Sequence, residues 1–135
     1  MPVETVSANW IDGQVFLLRD HNDFPLVMTQ PGGVNGADLL PLSLIGCAAW
    51  DVIGILKKQR QSISGFAITA ASEREGEAPW KFTRITITYR LAGRDLDEAA
   101  IRRAIELAEK KYCSIYATLQ PVVELTSELV IEPAS

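Results

Sequence analysis

Residues 38–59 read DLLPLSLIGCAAWDVIGILKKQ, and this stretch decides the architecture. Its apolar side chains fall on nearly every face at a helical period, so it reads as a helix that protein covers on most sides. Asp38 stands where a helix start prefers a short polar acceptor, and Lys57, Lys58 and Arg60 stand where a helix end prefers cations. Gly46, directly before Cys47, offers a place to kink or restart the helix. Pro41, Ser43, Asp51 and the glycines interrupt the apolar run, so a core helix fits better than a membrane span, and no membrane partner is expected. A small monomer leaves such a helix partly bare. A second copy of the chain is the simplest cover, which predicts a homodimer.

Upstream of the helix the chain reads as strands. Asp12-Gly13 is a tight hairpin turn between Val6–Ile11 and Val15–Leu18. A second turn over residues 20–23 leads to the extended run Phe24–Met28, and residues 30–36 are a loop by composition. Downstream, Phe66, Ile68 and Ala70 alternate with small or polar residues, and Ile85, Ile87, Tyr89 and Leu91 alternate with Arg84, Thr86, Thr88 and Arg90. Asp95 opens an amphipathic helix with Ala99, Ile101, Ala104, Ile105 and Ala108 on its buried stripe. A short helical turn starts at Cys113 and stops before Pro121. The chain closes on a strand in which Val123, Leu125, Leu129 and Ile131 alternate with polar residues. The order is α+β, in a single domain over residues 1–135.

Bulk properties narrow the function. The 135 residues are enough to bury a core without metal or disulfide staples. A net charge of −4 with scattered basic residues gives no footprint for nucleic acid, so no such partner is expected. Met1–Val6 shows no basic region followed by an apolar run, so the expected location is a reducing cytoplasm, where two cysteines are ordinarily free thiols. One histidine, His21, and two cysteines without close ligand spacing predict neither a Ser-His-Asp triad nor a zinc site. The glycines at 32, 33 and 36 form no phosphate-binding loop, and no cofactor is expected. What remains is Cys47 and Cys113. If the thiols meet, dithiol redox chemistry is open to the chain; if not, they are small buried hydrophobes.

Four stretches, in order, resemble the OsmC/Ohr family of osmotically induced and organic-hydroperoxide-resistance proteins, and most closely its general OsmC-like branch. They are Asp38-Leu39-Leu40 through Gly46-Cys47; Asp51-Val52 with Ile55-Leu56-Lys57-Lys58; Pro79 with Phe82, Ile85 and Tyr89; and Lys111-Tyr112-Cys113-Ser114. The resemblance runs roughly from residue 30 to 132. It implies antiparallel sheets around a central apolar helix, in an intertwined homodimer with active sites at the subunit interface. It further implies that Cys47 is a peroxidatic cysteine and Cys113 its resolving partner. The implied reaction reduces organic hydroperoxides or hydrogen peroxide, and a cellular dithiol restores the thiols.

Such an attacker must be a thiolate. At a reference pKa near 8.5 only about 3% of a thiol is ionised at pH 7, and a drop of about 2 units raises that to about three quarters, a preference of roughly 2.7 kcal/mol. Asp38, near the position of the family's acidic residue, disfavours a neighbouring thiolate by itself and makes sense as the anchor of a cation. The family supplies an arginine for this. Arg19, in Leu18-Arg19-Asp20, lacks the glycine-rich surroundings of the family's arginine, so Arg74, in Glu73-Arg74-Glu75, stands beside it as a second candidate. The competing expectation is a non-enzymatic dimer that binds a small apolar ligand at its interface, its cysteines only packing.

Overall fold

Two three-stranded sheets carry the fold. In the computed structural model, which describes residues 2–133, the first sheet is β1 (Ser7–Asp12), β2 (Val15–Arg19) and β3 (Pro25–Met28) in that order. The second is β4 (Ser62–Arg74), β5 (Phe82–Arg94) and β6 (Glu124–Pro133). The chain gathers into two compact units divided between Leu40 and Pro41.

In the first unit β2 pairs antiparallel with both neighbours, Trp10 opposite Phe16 and Leu18 opposite Leu26. The hairpin closes one residue later than expected. Asp12 still pairs with Val15, and Gly13, at a φ of 54°, takes the left-handed conformation that glycine adopts without steric cost. Trp10 Nε1 donates to the Gly13 carbonyl at 2.8 Å. Asp20 holds the next turn: its Oδ1 accepts from the Asn22 and Phe24 N–H groups at 2.8 and 2.9 Å. After β3, Asn35 Oδ1 accepts from the Ala37 N–H at 3.0 Å and caps a 3₁₀ turn over Gly36–Asp38. Asn35 thus makes the cap that the sequence suggested for Asp38, which lies exposed inside the turn.

Helix α1 (Leu39–Lys58) follows and runs unbroken through Gly46, so neither a kink nor a restart occurs there. Pro41 is tolerated because it falls in the first turn, where its missing N–H has no intrahelical partner to lose. At the far end Arg60 N–H bonds to Lys57 C=O and Gln61 N–H to Leu56 C=O, at 3.0 and 3.1 Å. With Arg60 at a φ of 59°, this is a Schellman stop with arginine in the position glycine usually fills. Within the chain α1 buries one stripe only, Leu44, Ala48, Val52 and Leu56, all fully buried at a spacing of four. Leu42 is half exposed and Trp50 is 80% exposed. Among the described residues, the rest of α1 is half-buried or exposed, short of the cover expected on most sides.

The second sheet supplies the wall of the core. β4 and β5 pair antiparallel, Ile68 opposite Tyr89 and Ala70 opposite Ile87. Ile85, Ile87, Tyr89 and Leu91 of β5 are at most 1% exposed, as their alternation predicts. β6 differs from the antiparallel expectation: it runs parallel to β5, with Tyr89 opposite Leu129. A parallel partner needs a crossover, and α2 (Glu98–Leu107) with α3 (Ser114–Leu119) provides it. Asp97, not Asp95, caps α2: its Oδ1 accepts from Ala100 N–H at 3.1 Å, while Asp95 takes a φ of 53° in the preceding turn. The shifted start rotates the stripe, so Ala100 is buried with Ile101, Ala104, Ile105 and Ala108, and Ala99 is exposed. A side chain at Gly93 would run into the Ser62 carbonyl where β5 meets β4.

Truncating Leu44 empties a fully buried site on α1. Leu44→Ala is expected to lower the unfolding free energy by about 2–5 kcal/mol, read from a urea denaturation midpoint.

Candidate active site

The structure brings Cys47 and Cys113 together. Both are free thiols, and Cys47 lies near enough to Cys113 to act on its proton through a side-chain hydrogen bond. Cys47 sits half-buried near the middle of α1, well past the first turn, where the helix dipole gives a thiolate little help. Cys113 is only 2% exposed. It reaches Cys47 from the crossover. Past α2 the helix widens into a π turn over Ala108–Tyr112, which Cys113 N–H closes by bonding to Ala108 C=O at 2.8 Å. Cys113 then caps α3, its Sγ accepting from the Tyr116 N–H at 3.4 Å.

These surroundings set the Cys113 proton. Burial is the main force pushing its pKa up, to about 11, and the hydrogen bond with the Cys47 thiol adds to it. The Tyr116 backbone N–H pulls the other way without prevailing. Cys113 therefore keeps its proton at neutral pH.

A buried polar cluster lies behind it. Glu109, in the π turn, is 5% exposed, and its Oε2 accepts from Tyr89 Oη at 2.7 Å and from Ser127 Oγ. Burial and the Glu109 carboxylate hold the Tyr89 hydroxyl far above the usual tyrosine range, and the same two causes raise Tyr116. Tyr89, Glu109 and Ser127 line a cavity of about 210 Å³ beside α2. Glu109 was not singled out from sequence. Its signal was its place four residues after Ile105, on the buried stripe, where a carboxylate needs a reason.

The remaining candidates make contacts of their own. Arg74, exposed at the end of β4, donates through Nε to the Trp80 carbonyl at 2.8 Å, with its guanidinium 4.6 Å from the centre of the Phe82 ring. Arg19 and Asp38 belong to the first unit, where Arg19 Nη1 donates to the Asp23 carbonyl at 2.7 Å. A groove of about 510 Å³ runs between α1 and α2, lined by Trp50, Ile55, Leu107 and Tyr112 among others. Among the described residues, no cluster of three or more His, Cys, Asp and Glu side chains is set to hold a metal ion.

Fold and sequence together place the chain among known proteins. It belongs to the OsmC family: residues 29–128 match the family model described as OsmC-like protein. Protein YhfA of Escherichia coli K12 is 35% identical over 122 residues, covering 88% of this chain and 91% of its own. A hypothetical protein from Aquifex aeolicus VF5 superposes with a TM-score of 0.89 at 27% identity, over 100% of both chains. The organic hydroperoxide resistance protein OhrB of Bacillus subtilis shares the fold, with a TM-score of 0.61 at 17% identity over 94% of this chain and 97% of its own.

The raised pKa of Cys113 fixes the sign of a pH effect. Folding favours the protonated thiol, so this stabilisation is complete below about pH 9 and is lost as pH rises through about 11. Urea midpoints of the reduced protein should fall across that window, and Cys113→Ser should flatten the fall.

Proposed function

We propose that the chain is a thiol-dependent peroxidase acting through Cys47 and Cys113. The proximity of the two thiols carries this reading, Cys47 lying within hydrogen-bonding reach of Cys113. The attacker in this proposal is Cys47, the more exposed of the two sulfurs, and the buried Cys113 is the resolver. The Cys47 thiolate attacks the terminal oxygen of a hydroperoxide, ROOH; the O–O bond breaks and the leaving alkoxide takes a proton to become ROH. Cys47 is then a sulfenic acid. Cys113 gives up its proton as its sulfur attacks Cys47, the hydroxyl leaves as water, and a Cys47–Cys113 disulfide forms. A cellular dithiol reduces that disulfide through a mixed disulfide and becomes oxidised itself.

The family supports this reading, since OhrB is named for organic hydroperoxide resistance. The groove between α1 and α2, with Trp50, Ile55 and Leu107 in its lining, suits the alkyl part of an organic hydroperoxide. The same groove favours the second reading, a dimer that holds a small apolar ligand while its cysteines only pack. One measurement separates them. Brief exposure of the reduced protein to a modest excess of cumene hydroperoxide should remove two hydrogens from its mass, and neither Cys47→Ser nor Cys113→Ser should show that loss. Wild-type protein that keeps its reduced mass would favour the ligand-binding reading.

The active unit is a homodimer in this proposal. The side of α1 opposite its buried stripe leaves Leu42 and Trp50 bare, and a second copy would cover them. Sedimentation should give twice the chain mass, and Trp50→Glu should shift the protein toward monomer at micromolar concentration.

A further inference from the structure

Glu109 has no part in the chemistry above, yet its position is costly. It is a carboxylate 5% exposed, and among the described residues no Lys, Arg or His forms an ion pair with it. Two hydroxyls from two strands converge on one of its oxygens: Tyr89 of β5 and Ser127 of β6. Glu109 lies inside the π turn, and the bond that closes this turn is made by the backbone N–H of Cys113. A π turn is a rare, wide form of helix that neighbouring α-helical geometry tends to erase, so it needs an outside hold. Here the hold is a strut from the sheet to the turn, four residues before the thiol.

We propose that Glu109 is a positioning residue for Cys113: tied to Tyr89 and Ser127, it keeps the π turn open and so holds the Cys113 thiol against Cys47. Extra width in the turn changes the phase of the helix, and the residue after it faces elsewhere than in a regular α-helix. Without the strut the turn can relax toward regular helix, and Cys113 leaves Cys47. The inference rests on the two thiols forming a pair but not on peroxide being their oxidant.

The two bonds end on the same oxygen, which sharpens the test. Glutamine in place of Glu109 keeps an acceptor there, so Glu109→Gln should preserve the strut, whereas Glu109→Ala removes it. The readout is the thiol–disulfide equilibrium of the full-length protein in glutathione redox buffers, taken as the mass of alkylated species. In Glu109→Ala the constant for forming the Cys47–Cys113 disulfide should drop about tenfold, a potential about 30 mV less negative. Glu109→Gln should stay within about twofold of wild type, since it retains both acceptor contacts. Tyr89→Phe and Ser127→Ala, each losing one hydroxyl, should fall between. Glu106→Ala, an exposed carboxylate of the same helix, is the control for charge alone.

An unchanged equilibrium in Glu109→Ala would overturn the proposal, as would a Gln variant that falls as far as Ala. Should Glu109→Ala fail to fold, Tyr89→Phe, which keeps the ring in place, decides by the same criterion. A wild-type protein that forms no disulfide at any buffer ratio also overturns it. A wild type that forms the disulfide in glutathione but is inert to peroxide removes the peroxidase reading and leaves the positioning role standing.

Discussion

The parallel pairing of β6 with β5 is the constraint on which the rest of the second unit depends. Antiparallel neighbours can be joined by two residues, as β1 and β2 are, but a parallel neighbour must be reached by a return across the sheet. That return is α2, the π turn and α3, and it carries Cys113. Its anchors come from the strands it joins, Tyr89 on one and Ser127 on the other, both ending on Glu109. At its start, Gln59 Nε2 from the end of α1 donates to the Ala100 carbonyl at 3.0 Å and ties α2 beside α1. A thiol in the middle of α1 and a thiol distant in sequence meet because the sheet requires a crossover at that place.

Burial then makes the two thiols unequal. Moving a thiol away from water favours its protonated form, and Cys113 is nearly inaccessible while Cys47 is not. In the proposed reaction this inequality suits each sulfur to its step. A protonated Cys113 does not compete for the first oxidant, and it gives up its proton only when Cys47 has become electrophilic. Burial also protects the second sulfur from oxidation in its own right, since over-oxidation follows thiolate character and exposure.

Much of this was legible in the sequence, and the failures have physical causes. The alternation of Ile85, Ile87, Tyr89 and Leu91 gave β5 and its buried face directly, because a period of two leaves no other regular structure. That same period is identical in parallel and antiparallel strands, so the direction of β6 could not be read from it. Two acidic residues close together, Asp95 and Asp97, could each cap α2. The choice shifted the stripe from Ala99 to Ala100, and only the left-handed backbone at Asp95 decides it. Cys47 and Cys113 stood out as the only cysteines and took their roles from the family motifs around them, whereas their proximity is a tertiary fact that no local pattern encodes. Glu109 was passed over because charged residues in amphipathic helices usually face water. Its place four residues after Ile105, on the buried stripe, was the contrary signal.

Helix α1 shows where pattern reading from one chain reaches its boundary. Its apolar residues surround the axis, and a period-based reading gives a helix buried all round. Among the described residues only Leu44, Ala48, Val52 and Leu56 of α1 are fully buried. Hydrophobicity records every surface that a helix buries in its working state, without saying which molecule does the burying. Trp50, 80% exposed and three residues from Cys47, is therefore informative. In the proposed peroxidase, an exposed tryptophan so near Cys47 in the sequence can be covered by a second copy or meet an apolar substrate, and at an active site between subunits it would do both. The proposed dimer and the proposed chemistry thus meet at one side chain: whatever covers Trp50 also sets the apolar approach to Cys47.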